Sequence, residues 1–279
     1  VPTLPPCPKI DLSAPAIAQV NLVESMKELP MSRQDLTINT PEGICPASVF
    51  TPASGTGPWP AVLFLMDGFG IRPVMWDMCQ RIADAGYLVL LPDLYYRMGS
   101  YAPLVPAQVL ADPKLREGFM KFVKSLDRQR KISDGGAFLA FLSSHPDVKP
   151  NRLGVTGYCL GGNVALHLAG AYPDRFAAIA SFHGGNLATD QPDSPHLFLK
   201  NTTARVYVAG AIEDNSFTDP QKNLLERALT EAGIAYQVET YPARHGFAVP
   251  DLPAFDPAAA DRHWKTLFKL FEETLHSPN

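Results

Sequence analysis

Arg152-Leu-Gly-Val-Thr-Gly157-Tyr-Cys159-Leu-Gly161-Gly-Asn163-Val-Ala-Leu-His-Leu-Ala-Gly170 is the stretch on which the fold turns. Residues 152–156 have the short apolar character of a buried strand, and residues 163–170 read as a helix packed beneath it. Between them, Gly157-Tyr-Cys-Leu-Gly161 has the form Gly-x-nucleophile-x-Gly in a strand, turn and helix context, with cysteine where serine is usual. Small flanking residues let strand and helix close around a residue held at a strained backbone angle. Cys159 is thereby expected at the exposed carboxyl edge of a sheet. A lone cysteine between glycines is more often a small buried hydrophobe than a nucleophile, so the rest of the chain has to decide.

Working outward, strands are expected at residues 35–39, 47–51, 61–66, 87–91, 152–156, 177–182, 205–209 and 236–241, with helical patterns between most of them from residue 73 onward. Two strands in hairpin style followed by repeated βα units predict an α/β fold, a mostly parallel sheet of about eight strands with helices on both faces. Pro-Asp pairs at 92–93, 146–147 and 173–174 punctuate element ends. Residues 1–30 are Pro-rich and weakly periodic and read as an arm or extension, leaving residues 31–279 as a single domain.

The chain has 279 residues, 46% of them hydrophobic, enough for a full core in one domain. Its net charge of −4 gives no overall basic surface for phosphates, so no nucleic-acid partner is expected. No apolar run approaches the roughly 18 residues of a membrane span. The opening Val1-Pro-Thr-Leu-Pro-Pro-Cys-Pro8 lacks the basic-then-apolar pattern of a signal peptide. Cys7, Cys45, Cys79 and Cys159 are widely spaced, with no CxxC pair and no ligand cluster. The expectation is a cytoplasmic protein without disulfides, metal or cofactor, in which a reactive thiolate survives.

A thiol nucleophile needs a base, and the base an orienting carboxylate. In hydrolases built on such a sheet the chain order is nucleophile, acid, histidine. Here the strand at 205–209 runs into Glu213 and Asp214, and the strand at 236–241 runs into His245. All three candidates fall at one sheet edge. Asp214 is favoured over its neighbour Glu213, although a strand-end carboxylate is often only a loop cap. His183, in Ser-Phe-His-Gly-Gly after the strand at 177–182, competes with His245 but precedes any suitable acid. His167 and His263 fall within helices.

These motifs together resemble the dienelactone hydrolase family, the carboxymethylenebutenolidases, a cysteine-dependent branch of the α/β-hydrolase fold. The resemblance covers residues 33–275 and rests on Met66-Asp-Gly-Phe-Gly70, Pro92-Asp-Leu-Tyr-Tyr-Arg97, the cysteine elbow and Arg244-His-Gly-Phe247, in that order. It implies Cys159 as nucleophile, His245 as base and Asp214 as acid, with an oxyanion hole formed by the backbone N–H groups of Leu160 and Gly68. It also implies Asp67 as a group that touches the resting thiol, with Arg97 as its partner and a substrate-carboxylate ligand. The family's second substrate arginine corresponds to Val249, so half of an anion clamp is missing.

The activity this implies is cysteine-dependent hydrolysis of small esters or lactones through a thioester. Val249 keeps open a broader carboxylesterase or thioesterase that prefers neutral acyl groups. A ligand-binding protein that retains the fold without turnover is the rival from another class. One further segment stands out: between Pro113 and Ser133 a single helical period puts Leu115, Phe119, Phe122 and Leu126 on one face and Lys114, Lys121, Lys124, Arg128 and Lys131 on the other. That basic face is either a solvated helix surface or an attractor of anionic substrate.

Overall fold

The computed structural model describes residues 33–150 and 152–276; the expected extension over residues 1–30 lies outside them. The chain opens with a hairpin, β1 (Arg33–Thr40) and β2 (Gly43–Phe50), paired antiparallel across the two-residue turn Pro41-Glu42. Then follow β3 (Ala61–Leu65), α1 (Pro73–Asp84) and β4 (Leu88–Pro92). Three helices, α2 (Pro106–Ala111), α3 (Pro113–Lys124) and α4 (Arg128–Ser144), precede β5 (Leu153–Tyr158) and α5 (Leu160–Ala171). The remainder is β6 (Phe176–Phe182), β7 (Arg205–Ala211), α6 (Asp219–Glu231), β8 (Tyr236–Tyr241) and α7 (Pro257–Leu275).

The strands form one sheet in the order β1-β2-β4-β3-β5-β6-β7-β8, parallel from β4 to β8. All eight expected strands are present. Every residue of β3, β4, β5 and β6 is buried, as a sheet covered on both faces requires. Glycines in β5 identify the two covers. A Cβ on Gly154 would meet Phe271 and Leu275 of α7, whereas one on Gly157 would meet the start of α5. Residues three apart on a strand point to opposite faces, so α7 and α5 lie on opposite sides. The chain passes from β3 to β4 on one side and returns to β5 on the other, and in open α/β sheets that reversal leaves a crevice beyond the carboxyl ends of the strands.

The segment from Pro113 to Ser133 is two helices rather than one. Asp112 caps α3 by accepting from Lys114 N–H (2.7 Å), and Asp127 caps α4 by accepting from Arg130 N–H (2.8 Å). A carboxylate at each cap position satisfies otherwise unpaired amides and starts a new helix. The change of axis breaks the expected faces: Leu115 is 46% exposed, while Phe119 packs its ring on Phe69 at 4.9 Å. Lys114, Lys121 and Lys124 are exposed on α3, but Lys131 lies on α4 and is drawn inward. Among the described residues no helix is long and apolar enough to cross a membrane.

Candidate active site

β5 ends at Tyr158 and α5 begins at Leu160, so Cys159 alone makes the turn, at φ 52 and ψ −112. Such a conformation costs a non-glycine residue about 1–3 kcal/mol and persists only where the surroundings over-determine it. Here they do. The Cys159 N–H donates to the Phe182 carbonyl (3.1 Å), and its own carbonyl accepts from Gly162 N–H (3.1 Å). A Cβ on Gly157 would sit 2.1 Å from the Gly161 carbonyl oxygen, and one on Gly161 would sit 2.2 Å from that of Leu65. The helix therefore starts three residues earlier than propensity suggests, because close approach to β3 demands glycines that helices otherwise disfavour.

His245 stands in the loop after β8 and Asp214 in the loop after β7, and the two loops are tied by Ile212 N–H donating to the Ala243 carbonyl (3.0 Å). The Asp214 side chain is 4% exposed. Its Oδ1 accepts from both the N–H and the hydroxyl of Ser216 (2.8 and 2.6 Å), which leaves Oδ2 for His245 Nδ1 at 2.7 Å. Burial works against the Asp214 charge, yet the bonds from His245 and Ser216 outweigh it and hold the carboxyl below its usual range. Burial likewise opposes the charge on His245, but the Cys159 sulfur, which it also hydrogen-bonds, and Asp214 together push it up to about 10. The structure thus joins Cys159, His245 and Asp214 in one line. Glu213 instead lies exposed at the surface, 3.6 Å from Arg244.

His183 is a neighbour of this line and not a member. Its ring is 5.3 Å from that of His245, and it is fully buried with neither ring nitrogen hydrogen-bonded to a described residue. Burial, with His245 and His263 adding to it, holds His183 well below the ordinary histidine range. Among the described residues no carboxylate orients it.

The Cys159 side chain opens on a cavity of about 400 Å³. Gly68 and Leu160 line it beside Cys159 and His245, with an apolar wall of Phe119, Met120, Val123 and Leu126 from α3 and its end. Leu160 is the first residue of α5, where the N–H has no intrahelical acceptor. Gly68 follows β3, and its carbonyl accepts from the Tyr95 hydroxyl (2.9 Å), which holds the loop in place. A Cβ there would press on the Phe119 ring at 3.0 Å.

Three expected positions lie apart from the cavity wall. Asp67 is paired with Arg72, not with Arg97: Arg72 donates to both Asp67 oxygens (2.7 and 2.8 Å) and to both of Asp251 (2.7 and 2.9 Å). Arg97 grips Asp134 through two bonds of 2.7 Å and Glu42 through a third of 2.7 Å. Its fork is filled by carboxylates of β-hairpin and α4 origin, because Asp134 is buried and demands a partner. Val249 is fully buried. Sequence reasoning missed Ser216 and Arg72, and it singled out Lys131 only as one member of a basic face, not as a residue of this cavity. Ser216 was signalled by Asp-x-Ser, the spacing at which an aspartate bonds the backbone two residues on. Arg72 had no local signal. Among the described residues no three His, Cys, Asp or Glu side chains are grouped to hold a metal ion.

The model of the dienelactone hydrolase family matches residues 45–275. The carboxymethylenebutenolidase of Rhodococcus opacus is 26% identical over 243 residues, spanning 85% of this chain and 90% of the relative. A Synechocystis protein provisionally named a carboxymethylenebutenolidase is 27% identical over 225 residues, 78% of this chain and 88% of the relative. A solved structure from Klebsiella pneumoniae, provisionally named a dienelactone hydrolase, superposes with a TM-score of 0.73 at 23% identity, covering 86% of this chain and 98% of that one. At that identity the superposition speaks for the α/β-hydrolase fold alone.

Proposed function

The chain belongs to the dienelactone hydrolase family and is a hydrolase of that kind, and on that premise we propose that it cleaves small carboxylic esters or lactones with Cys159 as nucleophile, His245 as base and Asp214 as orienting acid. The Cys159 thiolate attacks the carbonyl carbon, and the N–H groups of Leu160 and Gly68 hold the oxygen as it becomes negative. When the tetrahedral adduct collapses, the C–O bond breaks, and the His245 imidazolium gives its proton to the departing alkoxide. A thioester remains on Cys159. His245, now neutral, takes a proton from water as that water adds to the thioester carbonyl, and the acid leaves as the thiolate is restored. Asp214 keeps the Nδ1 proton in place throughout, so that Nε2 is the nitrogen that works on substrate.

The observation that carries this reading is the His245 environment: one nitrogen 2.7 Å from Asp214, a hydrogen bond to the Cys159 sulfur, and a proton affinity raised to about 10 by the two together against burial. An imidazolium held at neutral pH beside a sulfur has the proton ready for the leaving group. The test is hydrolysis of a small activated ester by wild type and Cys159→Ala, with mass spectrometry of the acid-quenched wild-type protein. We expect the variant to lose several orders of magnitude in kcat/KM, on the order of 10⁴ or more, and an acyl mass to appear on Cys159. Full activity in Cys159→Ala sinks the reading.

A second reading, a carboxylesterase or thioesterase for neutral acyl groups, is favoured by one pair of observations. Val249 is buried and Arg97 is occupied by Asp134 and Glu42, so neither family position for a substrate carboxylate offers a free cation.

A further inference from the structure

Lys131 is the one lysine or arginine among the described residues that line the Cys159 cavity. It rises from the first turn of α4, where the break after α3 turns it inward, and its Nζ donates to Asn163 Oδ1 at 2.9 Å. Asn163 is itself fixed by its Nδ2, which donates to the carbonyls of Gly185 and Asn186 (3.2 and 2.9 Å). An ammonium has three donors, and among the described residues no carboxylate comes within ion-pair distance of this one, whose hydrogen-bond partner is the Asn163 amide oxygen. Asn163 and Cys159 both belong to the start of α5, four residues apart, which is about 6 Å along the helix. The cavity therefore has the thiol at one point, an incompletely satisfied cation held on the next turn of α5 by Asn163, and the aromatic and aliphatic wall of α3 alongside.

We propose that Lys131, steadied by Asn163, is the anion anchor of this cavity, so that the preferred substrates are esters whose acyl group carries a carboxylate a few carbons from the reacting carbonyl. This rests on the hydrolase reading above and names the substrate class for it. It assigns to α4 the work that the family resemblance gives to Arg97 and to the position of Val249. The surrounding charges suit that use. Burial pushes the Lys131 ammonium down to about 8, with Asp193 and Asp127 opposing the shift. Arg128 lies on the same helix turn, and His167 on α5 is held neutral, down to about 3, by burial and by the positive charges of Lys131 and Arg128. Asp193 is exposed at the cavity rim. An arriving carboxylate would replace lost solvation around the ammonium.

The test compares mono-4-nitrophenyl adipate with its methyl ester, reading the ratio of their kcat/KM values after subtraction of the spontaneous rates. A charged hydrogen bond of this kind corresponds to roughly a ten- to hundredfold change. Lys131→Met should lower the acid-over-methyl-ester ratio by that factor, chiefly through KM, and Lys131→Arg should keep most of it. In wild type the ratio should fall between about pH 7 and about pH 10, while in Lys131→Arg, which cannot lose its charge there, it should stay level. A ratio unchanged in Lys131→Met, or level with pH in wild type, overturns the anchor. Calorimetric binding of adipate to Cys159→Ala, with and without Lys131→Met, decides the matter without turnover. Binding weakened roughly tenfold or more by Lys131→Met supports the anchor, even if wild type hydrolyses neither ester and the hydrolase reading fails. Adipate binding that is absent, or indifferent to Lys131, overturns it.

Discussion

Two clusters of charge stand at the carboxyl edge of the sheet, and they differ in how completely they are closed. In the first, Arg72 uses all five of its N–H donors: both nitrogens of the fork and Nε engage Asp67, Asp251 and the Gly70 carbonyl. Asp67 is 1% exposed and Arg72 3%, so neither reaches solvent or cavity. In the second, Ser216 fills one oxygen of Asp214, His245 fills the other, and the line then ends at a sulfur that opens on the cavity. Both clusters have a buried carboxylate at their centre, and both are hydrogen-bonded and built on loops after strands. On the proposed function, burial and charge do not distinguish the supporting cluster from the reactive one; an unfinished chain of hydrogen bonds does.

The contrast can be broken first on activity. His245→Ala or Asp214→Asn should lower kcat/KM for an activated ester by roughly 10⁴-fold with little change in Tm, whereas His183→Ala should stay within about tenfold of wild type, less than the loss of a proton-transfer group brings. Turnover that survives His245→Ala and vanishes in His183→Ala would move the base to the buried neighbour. The Arg72 cluster should respond in the opposite currency. Arg72→Met leaves the Asp67 carboxylate buried without its partner, a loss of about 3–5 kcal/mol, so thermal melting should drop clearly while kcat measured well below the new Tm changes little. An unmoved Tm with collapsed turnover would erase the distinction between the clusters.

The smallest effect sharpens the comparison from the acid side. Burial holds His167 and His263 down to about 3, below the ordinary 6.5 of the unfolded chain. Between those values the unfolded state binds the extra protons, so these histidines leave stability whole above about pH 6.5 and erode it as pH falls toward 3. Tm should therefore decline from neutral pH to about pH 4, and less steeply in His263→Gln. His245, whose proton affinity is raised, has the opposite sign: its contribution is full below 6.5 and is lost as pH climbs toward 10. A melting profile flat from pH 7 to about pH 4 would contradict the neutral burial of His167 and His263.

Much of this was legible in the chain. The strands are apolar runs bounded by turn residues, so each was found within a few residues of its ends; the elbow announced itself through glycines whose necessity is local, Gly157 against Gly161. His245 and Asp214 were legible because each follows a strand in the expected order. What stayed hidden depends on neighbours remote in sequence. Nothing within ten residues of Arg97 signals that Asp134 will fill its fork. The stripe from Lys114 to Lys131 obeyed one helical period, yet Asp127 caps a second helix and redirects Lys131 from solvent to cavity.

By itself, then, the sequence determined the α/β architecture, the cysteine elbow and the placement of Asp214 and His245 after successive strands behind it, because strand patterning, turn chemistry and glycine sterics act over a few residues. Only the tertiary structure decided which of the cations keeps unfilled donors beside the cavity. Arg72, Arg97 and Lys131 are all basic residues near the same edge. Their roles diverge because a charge is available only to the extent that folded neighbours leave its hydrogen bonds unfilled, and those neighbours, Asp67, Asp251, Asp134 and Asn163, come from separate parts of the chain.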